Sequence, residues 1–111
     1  PAFVLSPALR GAGSIATISV PADAKQIKVT LQLEAAEFSK YRVTLNDPVA
    51  DHSIWRSGEI SAQAKGEAKS VSMLLPTTPL KPQNYIFELS GITSRGTPEF
   101  ISSYPFRLVL K

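Results

Sequence analysis

Along residues 25–33 (KQIKVTLQL), apolar and polar positions alternate from Gln26 onward. Ile27, Val29, Leu31 and Leu33 fall on one face, and Lys28, Thr30 and Gln32 on the other. Side chains of a β-strand point to alternate faces, so this period of two predicts a strand with one side against a core. The same pattern returns over 41–45 (Tyr41, Val43, Leu45), 70–76 (Val71, Met73, Leu75) and 84–91 (Tyr85, Phe87, Leu89). It closes the chain over 100–111, where Tyr104, Phe106, Leu108 and Leu110 share a face. Two earlier runs are also strand-like: 2–7, an edge strand stopped or bulged at Pro7, and the β-branched 14–20, which ends at Pro21.

Between these runs lies the punctuation of turns. Asn46, Asp47 and Pro48 mark one, and 92–99 reads as a polar hairpin loop. A short strand over 53–56 is expected to turn at 57–58, and the polar stretch 61–69 reads as a surface connection. Pro105 predicts a strand start or an edge, because proline has no N–H to give a ladder. Residues 34–40 (EAAEFSK) favour a helix by propensity but are too few to hold one alone, so they read as a crossing between sheets with one helical turn.

Seven or eight short, one-sided strands predict an all-β, antiparallel β-sandwich. A parallel α/β sheet is excluded, since its strands would be apolar on both faces and separated by helices. At 111 residues the chain, 1–111, reads as one domain. That size buries roughly 60–70% of the unfolded surface, enough for one core and hardly enough for an enclosed catalytic cavity.

Residues 79–91 (PLKPQNYIFELSG) carry a finer signal. Leu80, Pro82 and Tyr85 stand just ahead of a clean strand, at the spacing of a structural corner. Leucine plugs the end of the core, proline pre-sets φ in the turn, and the tyrosine hydroxyl is expected to bond a nearby backbone carbonyl. This resembles the tyrosine corner of immunoglobulin-like and fibronectin-III-like domains. A wider resemblance rests on Arg10–Gly11, Trp55 with Ser57, Leu75–Pro76, Leu80 with Tyr85 and Leu89–Ser90–Gly91, and Glu99 with Tyr104–Pro105–Phe106. The chain is similar to the C-terminal extracytoplasmic immunoglobulin-like domain of zinc-finger anti-sigma-factor-like membrane proteins of Acidobacteria. That resemblance implies a periplasmic, membrane-anchored setting, with a transmembrane helix and a zinc-finger segment upstream. It also implies that the zinc-finger part, and not this domain, binds the sigma factor.

Composition narrows the chemistry. The chain has no cysteine, which removes disulfides, thiolate metal sites and a cysteine nucleophile. The net charge of +3 comes from basic residues interleaved with acids, so no cluster marks a nucleic-acid footprint. No run approaches the ~18 apolar residues of a membrane span. The chain opens on Pro1 and not Met, which reads as a segment boundary or mature terminus and leaves room for an anchor ahead of it.

His52 is the sole histidine; beside Asp51 in extended chain the two would face opposite ways, so it reads as a solvent-facing loop residue and not a ligand. No Gly-x-Ser-x-Gly elbow or phosphate-cradling glycine loop appears, and Glu34 with Glu37 reads as a solvated crossover. No catalytic, metal or cofactor residues are therefore assigned, and no cofactor is expected. Trp55, Tyr41, Tyr104 and Phe100 are the rings a sugar platform could use, but Tyr41 aligns with the core and Trp55 is the obvious large ring for a sandwich centre. Phe38 is the aromatic expected to be partly exposed. The resulting expectation is a non-catalytic interaction, sensing or spacer module with an unidentified protein partner in the cell envelope. Loops or an exposed sheet edge would do the recognising, with Lys28, Arg42, Lys65 and Lys69 keeping faces and edges soluble. The alternative is a carbohydrate-binding or other ligand-binding module centred on Trp55.

Overall fold

The computed structural model describes residues 2–6, 15–33, 38–65 and 68–110, and is all-β. Its nine strands are β1 (Ala2–Leu5), β2 (Ala16–Val20), β3 (Gln26–Leu33), β4 (Tyr41–Asp47), β5 (His52–Arg56), β6 (Gln63–Lys65), β7 (Ala68–Pro76), β8 (Asn84–Ile92) and β9 (Pro98–Leu110). They form a four-stranded sheet ordered β1-β3-β7-β6 and a five-stranded sheet ordered β2-β9-β8-β4-β5. The inner faces meet in one core. Ile27, Val29 and Leu31 of β3 and Val71 and Leu75 of β7 come from the first sheet. Tyr41, Val43, Leu45, Tyr85, Phe87, Leu89, Tyr104, Phe106 and Leu108 come from the second, all buried. Every one of these sits at an apolar position of an alternating run, and burying such faces is the main force holding a β-sandwich together. Phe106 anchors the middle, stacked on Phe87 at 5.1 Å and on Tyr85 at 5.8 Å.

The sheets are mixed, not antiparallel throughout. β1 runs parallel to β3, and β2 parallel to β9. The cause lies in the path: after β1 the chain crosses to the other sheet as β2, then returns as β3 beside β1 and in the same direction. Alternation records which way a side chain faces but not which way the neighbouring strand runs.

Other differences have equally local reasons. Within the stretch read as a surface connection, Gln63–Lys65 pair with the start of β7 and make the ninth strand. Residues 57–58 do not turn. Ser57 N–H donates to the Val43 carbonyl (2.8 Å), and Tyr41 and Ile60 exchange both backbone bonds (2.7 and 2.8 Å), so the chain keeps following β4. Pro105 lies within β9 rather than at its start. Because Leu108 N–H donates to Gln83 O, alternate residues of β9 point their nitrogens at β8, and Pro105 is one that points away. Its missing donor therefore faces the side where β2 has not yet begun, since β2 starts opposite Phe106. Leu110, assigned to the inner face, is 51% exposed at the strand end. Residues 34–37 and Pro7 lie outside the described residues.

Candidate functional site

Two bulges shape the outer face of the five-stranded sheet. In β9 the register against β8 shifts between Leu89 and Ser90: Leu89 faces Ser102, but Ser90 faces Phe100, leaving Ile101 as an extra residue. In β5 the register against β4 shifts between Leu45 and Asn46, where Leu45 faces Trp55 and Asn46 faces Ser53, with Ile54 extra. A bulge bends its strand, increases local twist and re-aims side chains. Here the two bulged strands flank the β4–β8 pair from either side. Strict alternation would have put Phe100 inside with Tyr104 and Phe106. The bulge turns it out, and it is 59% exposed.

The result is a concavity of about 470 Å³, with Asn46, Ile86 and Glu88 as its floor. One wall is the β4–β5 turn, carrying Asp47, Asp51 and His52; the other is β9, carrying Phe100 and Ser103. A hydrogen-bonded ladder crosses the floor. Ser53 Oγ donates to Asn46 Oδ1 (2.8 Å), and Asn46 Nδ2 donates to Glu88 Oε1. Ser103 stands opposite Glu88 on the next strand. Hydroxyl, amide and carboxylate, no two of them adjacent in sequence, are thus tied together across three strands, β5, β4 and β8.

The turn is built around Asp47. Its Oδ1 accepts from Val49 N–H (2.9 Å) and Ala50 N–H (3.1 Å), and its carbonyl accepts from Asp51 N–H (2.8 Å). This is the Asx arrangement that aspartate favours at a turn start. The Gln83 side-chain amide is the largest influence lowering the Asp47 pKa below the usual aspartate value, followed by Ala50 N–H, with smaller help from Val49 N–H and the charge of His52. Asp47 is therefore ionised through the neutral range. Asp51 closes the loop in the left-handed region, at φ 57°. His52 is exposed, with Nδ1 3.5 Å from the Ala50 carbonyl. Among the described residues no three of His, Asp and Glu converge to hold a metal ion.

The residues singled out from sequence fall in several places. Leu80 and Tyr85 are buried at the entry to β8, and the Tyr85 hydroxyl accepts from Lys81 N–H (2.8 Å) instead of donating to a carbonyl. Pro82, between them, is exposed. Trp55 is not the central ring. It lies on edge strand β5 opposite Leu45, half-buried against the margin of the core. Tyr41 and Tyr104 are buried inside, at 0% and 1% exposure. Trp55 faces the inner side of the sheet and Phe100 the outer, so these rings share no platform. Phe38 is half-buried, edge-on to Tyr41 at 6.0 Å. The sequence marks Asn46 only as part of a turn signal and does not mark Glu88 or Ser103, whose proximity to it arises from register alone.

A second depression, of about 510 Å³, lies on the outer face of the four-stranded sheet, among Lys28, Thr30, Gln32 and Lys69. It carries no aromatic ring, and its floor is closed by the Thr30–Ser72 hydroxyl contact (2.9 Å). No protein-family model and no curated protein matches the chain.

Proposed function

We propose that this chain is a non-catalytic, immunoglobulin-like interaction and sensing module, and that the outer face of its five-stranded sheet is the working surface. The observation that carries this is Phe100, a large apolar ring turned out of the core by a bulge and left 59% exposed over a concavity. The bulge sets Ile101 against the core while turning the larger Phe100 ring out to solvent, and bulges recur next to functional sites.

The immunoglobulin-like reading draws support from the strand order. With the strands lettered in chain order and the first one divided between the sheets, the two orders read A-B-E-D and A′-G-F-C-C′. The parallel β1–β3 pair is a departure within that scheme. In the setting implied by the family resemblance, the module is the extracytoplasmic part of a membrane-anchored, anti-sigma-factor-like regulator that recognises a protein in the envelope.

The test is site-specific photocrosslinking in cells carrying the chain in its natural protein. A benzoylphenylalanine at position 100 is expected to capture a discrete partner, while the same group at Lys28, on the opposite sheet, captures none. Capture from position 28 alone would move the working surface to the other face and overturn the reading.

A further inference from the structure

We propose that the concavity beside Phe100 receives an arginine side chain from an extended segment of a partner protein, its guanidinium stacked on the Phe100 ring and hydrogen-bonded to Glu88. This rests on the reading of that face as the working surface, and adds the chemistry of what it recognises.

Charge selects the occupant. Three of the chain's nine acidic residues, Asp47, Asp51 and Glu88, line this one depression, and no Lys or Arg does, although the chain as a whole carries +3. Arg56 shares the row of Thr44, Glu88 and Ser103, and Arg42 the row of Ser90 and Phe100. Thr44 stands between Arg56 and Glu88, Ser90 between Arg42 and Phe100, and both arginines lie outside the lining. The surface is therefore complementary to a cation and mismatched to an anion.

Hydrogen-bonding capacity points the same way. An ionised carboxylate only accepts, and the Asn46 amide already spends one N–H on Glu88 and its oxygen on Ser53. The concavity offers acceptors in excess, so its occupant must bring donors. Asp47 is already satisfied by its turn N–H groups, but a neutral sugar brings no counter-charge for Asp51 and Glu88 as water is displaced, which is unfavourable.

The exposed ring decides between cations. A planar guanidinium can lie flat on Phe100 while its edge presents paired N–H groups to a carboxylate; an ammonium, compact and strongly hydrated, does the first poorly and the second not at all. A depression of about 470 Å³ suits a side chain and the backbone next to it, not a folded domain.

The experiment is an amide NMR titration of the full 111-residue chain with three probes: a capped peptide of alternating Arg and Ser, its Lys counterpart, and cellohexaose. The Arg peptide is expected to shift the amides of Asn46, Ser53, Glu88 and Phe100, and to bind more tightly than the Lys peptide. Salt at about 1 M, where charge is screened within ~3 Å, should weaken it. Glu88→Gln keeps an oxygen to accept from Asn46, so the ladder survives while the charge goes. That change and Phe100→Ala should each weaken binding about two- to fivefold. The variant spectra themselves report whether the fold is retained.

Arg-peptide shifts located elsewhere, or undiminished in Glu88→Gln, would overturn the proposal. If cellohexaose moves the four amides and the Arg peptide does not, the arginine assignment fails while the face stands as a binding surface. If no probe moves them, and crosslinking at position 100 is also silent, both readings fail together.

Discussion

Three tyrosines are nearly or wholly excluded from solvent, and each one's hydroxyl is joined to the backbone. Phe38 N–H donates to Tyr41 Oη (3.3 Å), Lys81 N–H donates to Tyr85 Oη (2.8 Å), and Tyr104 Oη donates to Gln32 O (2.7 Å). A phenol in this role fills core volume with its ring and satisfies a main-chain group at the core's edge with its oxygen. Tyr85 does this at the entry to β8, Tyr41 at the entry to β4, and Tyr104 ties the two sheets together. Around Tyr41 the packing depends on a glycine. Gly91 pairs with Tyr41 across β4 and β8, and the ring of Phe38 occupies the space where a Cβ on Gly91 would sit. The glycine clears a seat for the ring, and the ring covers bare backbone that would otherwise face water. Gly91→Ala is accordingly expected to destabilise the fold by about 1–3 kcal/mol through overpacking. In a Phe38→Ala background the same change should cost little, because nothing remains to collide with it. Urea midpoints of the two single variants and the double variant check this; equal cost in both backgrounds would show that Phe38 is not the reason for the glycine.

Two hairpins of the five-stranded sheet solve one geometric problem with different residues. Between β8 and β9, Gly96 N–H donates to Thr93 O (2.8 Å) and Thr93 N–H to Thr97 O (2.9 Å), with Gly96 at φ 82°. This is a three-residue loop whose turn ends in a left-handed residue. Between β4 and β5 the last loop residue is also left-handed, but it is Asp51. An L-residue in that region is strained, and aspartate tolerates it better than most without escaping the cost. Opposite signs follow for two substitutions. Nothing lies within 4 Å of a Cβ added at Gly96, so Gly96→Ala should lose about 1 kcal/mol from backbone strain alone. Asp51→Gly should gain about 0.5–1 kcal/mol. Paired thermal melts decide the matter, with a shift of roughly 4–8 °C per kcal/mol for a domain of about this size. The same elements show what the sequence could and could not reveal. Alternation identified the inward faces of β3, β4, β7 and β8, because those strands are regular where they cross the core. It could not say which way Phe100 faces, because a bulge changes the count by one and no composition marks Ile101 as the extra residue. Leu80 and Tyr85 stand out in the sequence because they lie within a few residues of each other, and both are buried at the entry to β8. Asn46 and Glu88 are 42 apart and meet only through register, so the concavity was not legible there.

At the scale of the whole molecule, the β4–β5 turn, the segment entering β8 and the end of β9 come together at one end of the five-stranded sheet. Gln83 joins two of them through its backbone, its carbonyl accepting from Leu108 N–H (2.9 Å). Its side-chain Nε2 is buried without a hydrogen-bond partner among the described residues, and the amide acts on the third as the leading influence lowering the Asp47 pKa. The Asp47 carboxylate also takes the Val49 and Ala50 N–H groups, so its negative charge supports the turn that walls the concavity. This coupling has a definite sign. A carboxyl whose folded pKa lies below its unfolded value of ~3.9 binds protons less readily when folded. It therefore adds stability above that unfolded value and loses the contribution as pH falls through the lower, folded one. The chain should weaken progressively as the medium is acidified below about pH 4. Asp47→Asn keeps an oxygen for the turn N–H groups but removes the charge. The variant should be less stable than the parent near neutrality, with the gap closing as the pH drops through that window. Denaturant midpoints of both chains across the acid range measure the gap directly. A gap that stays constant through the acid range would mean that Asp47 serves the turn by shape and hydrogen bonding alone, and that its charge does not couple the concavity to the stability of the fold.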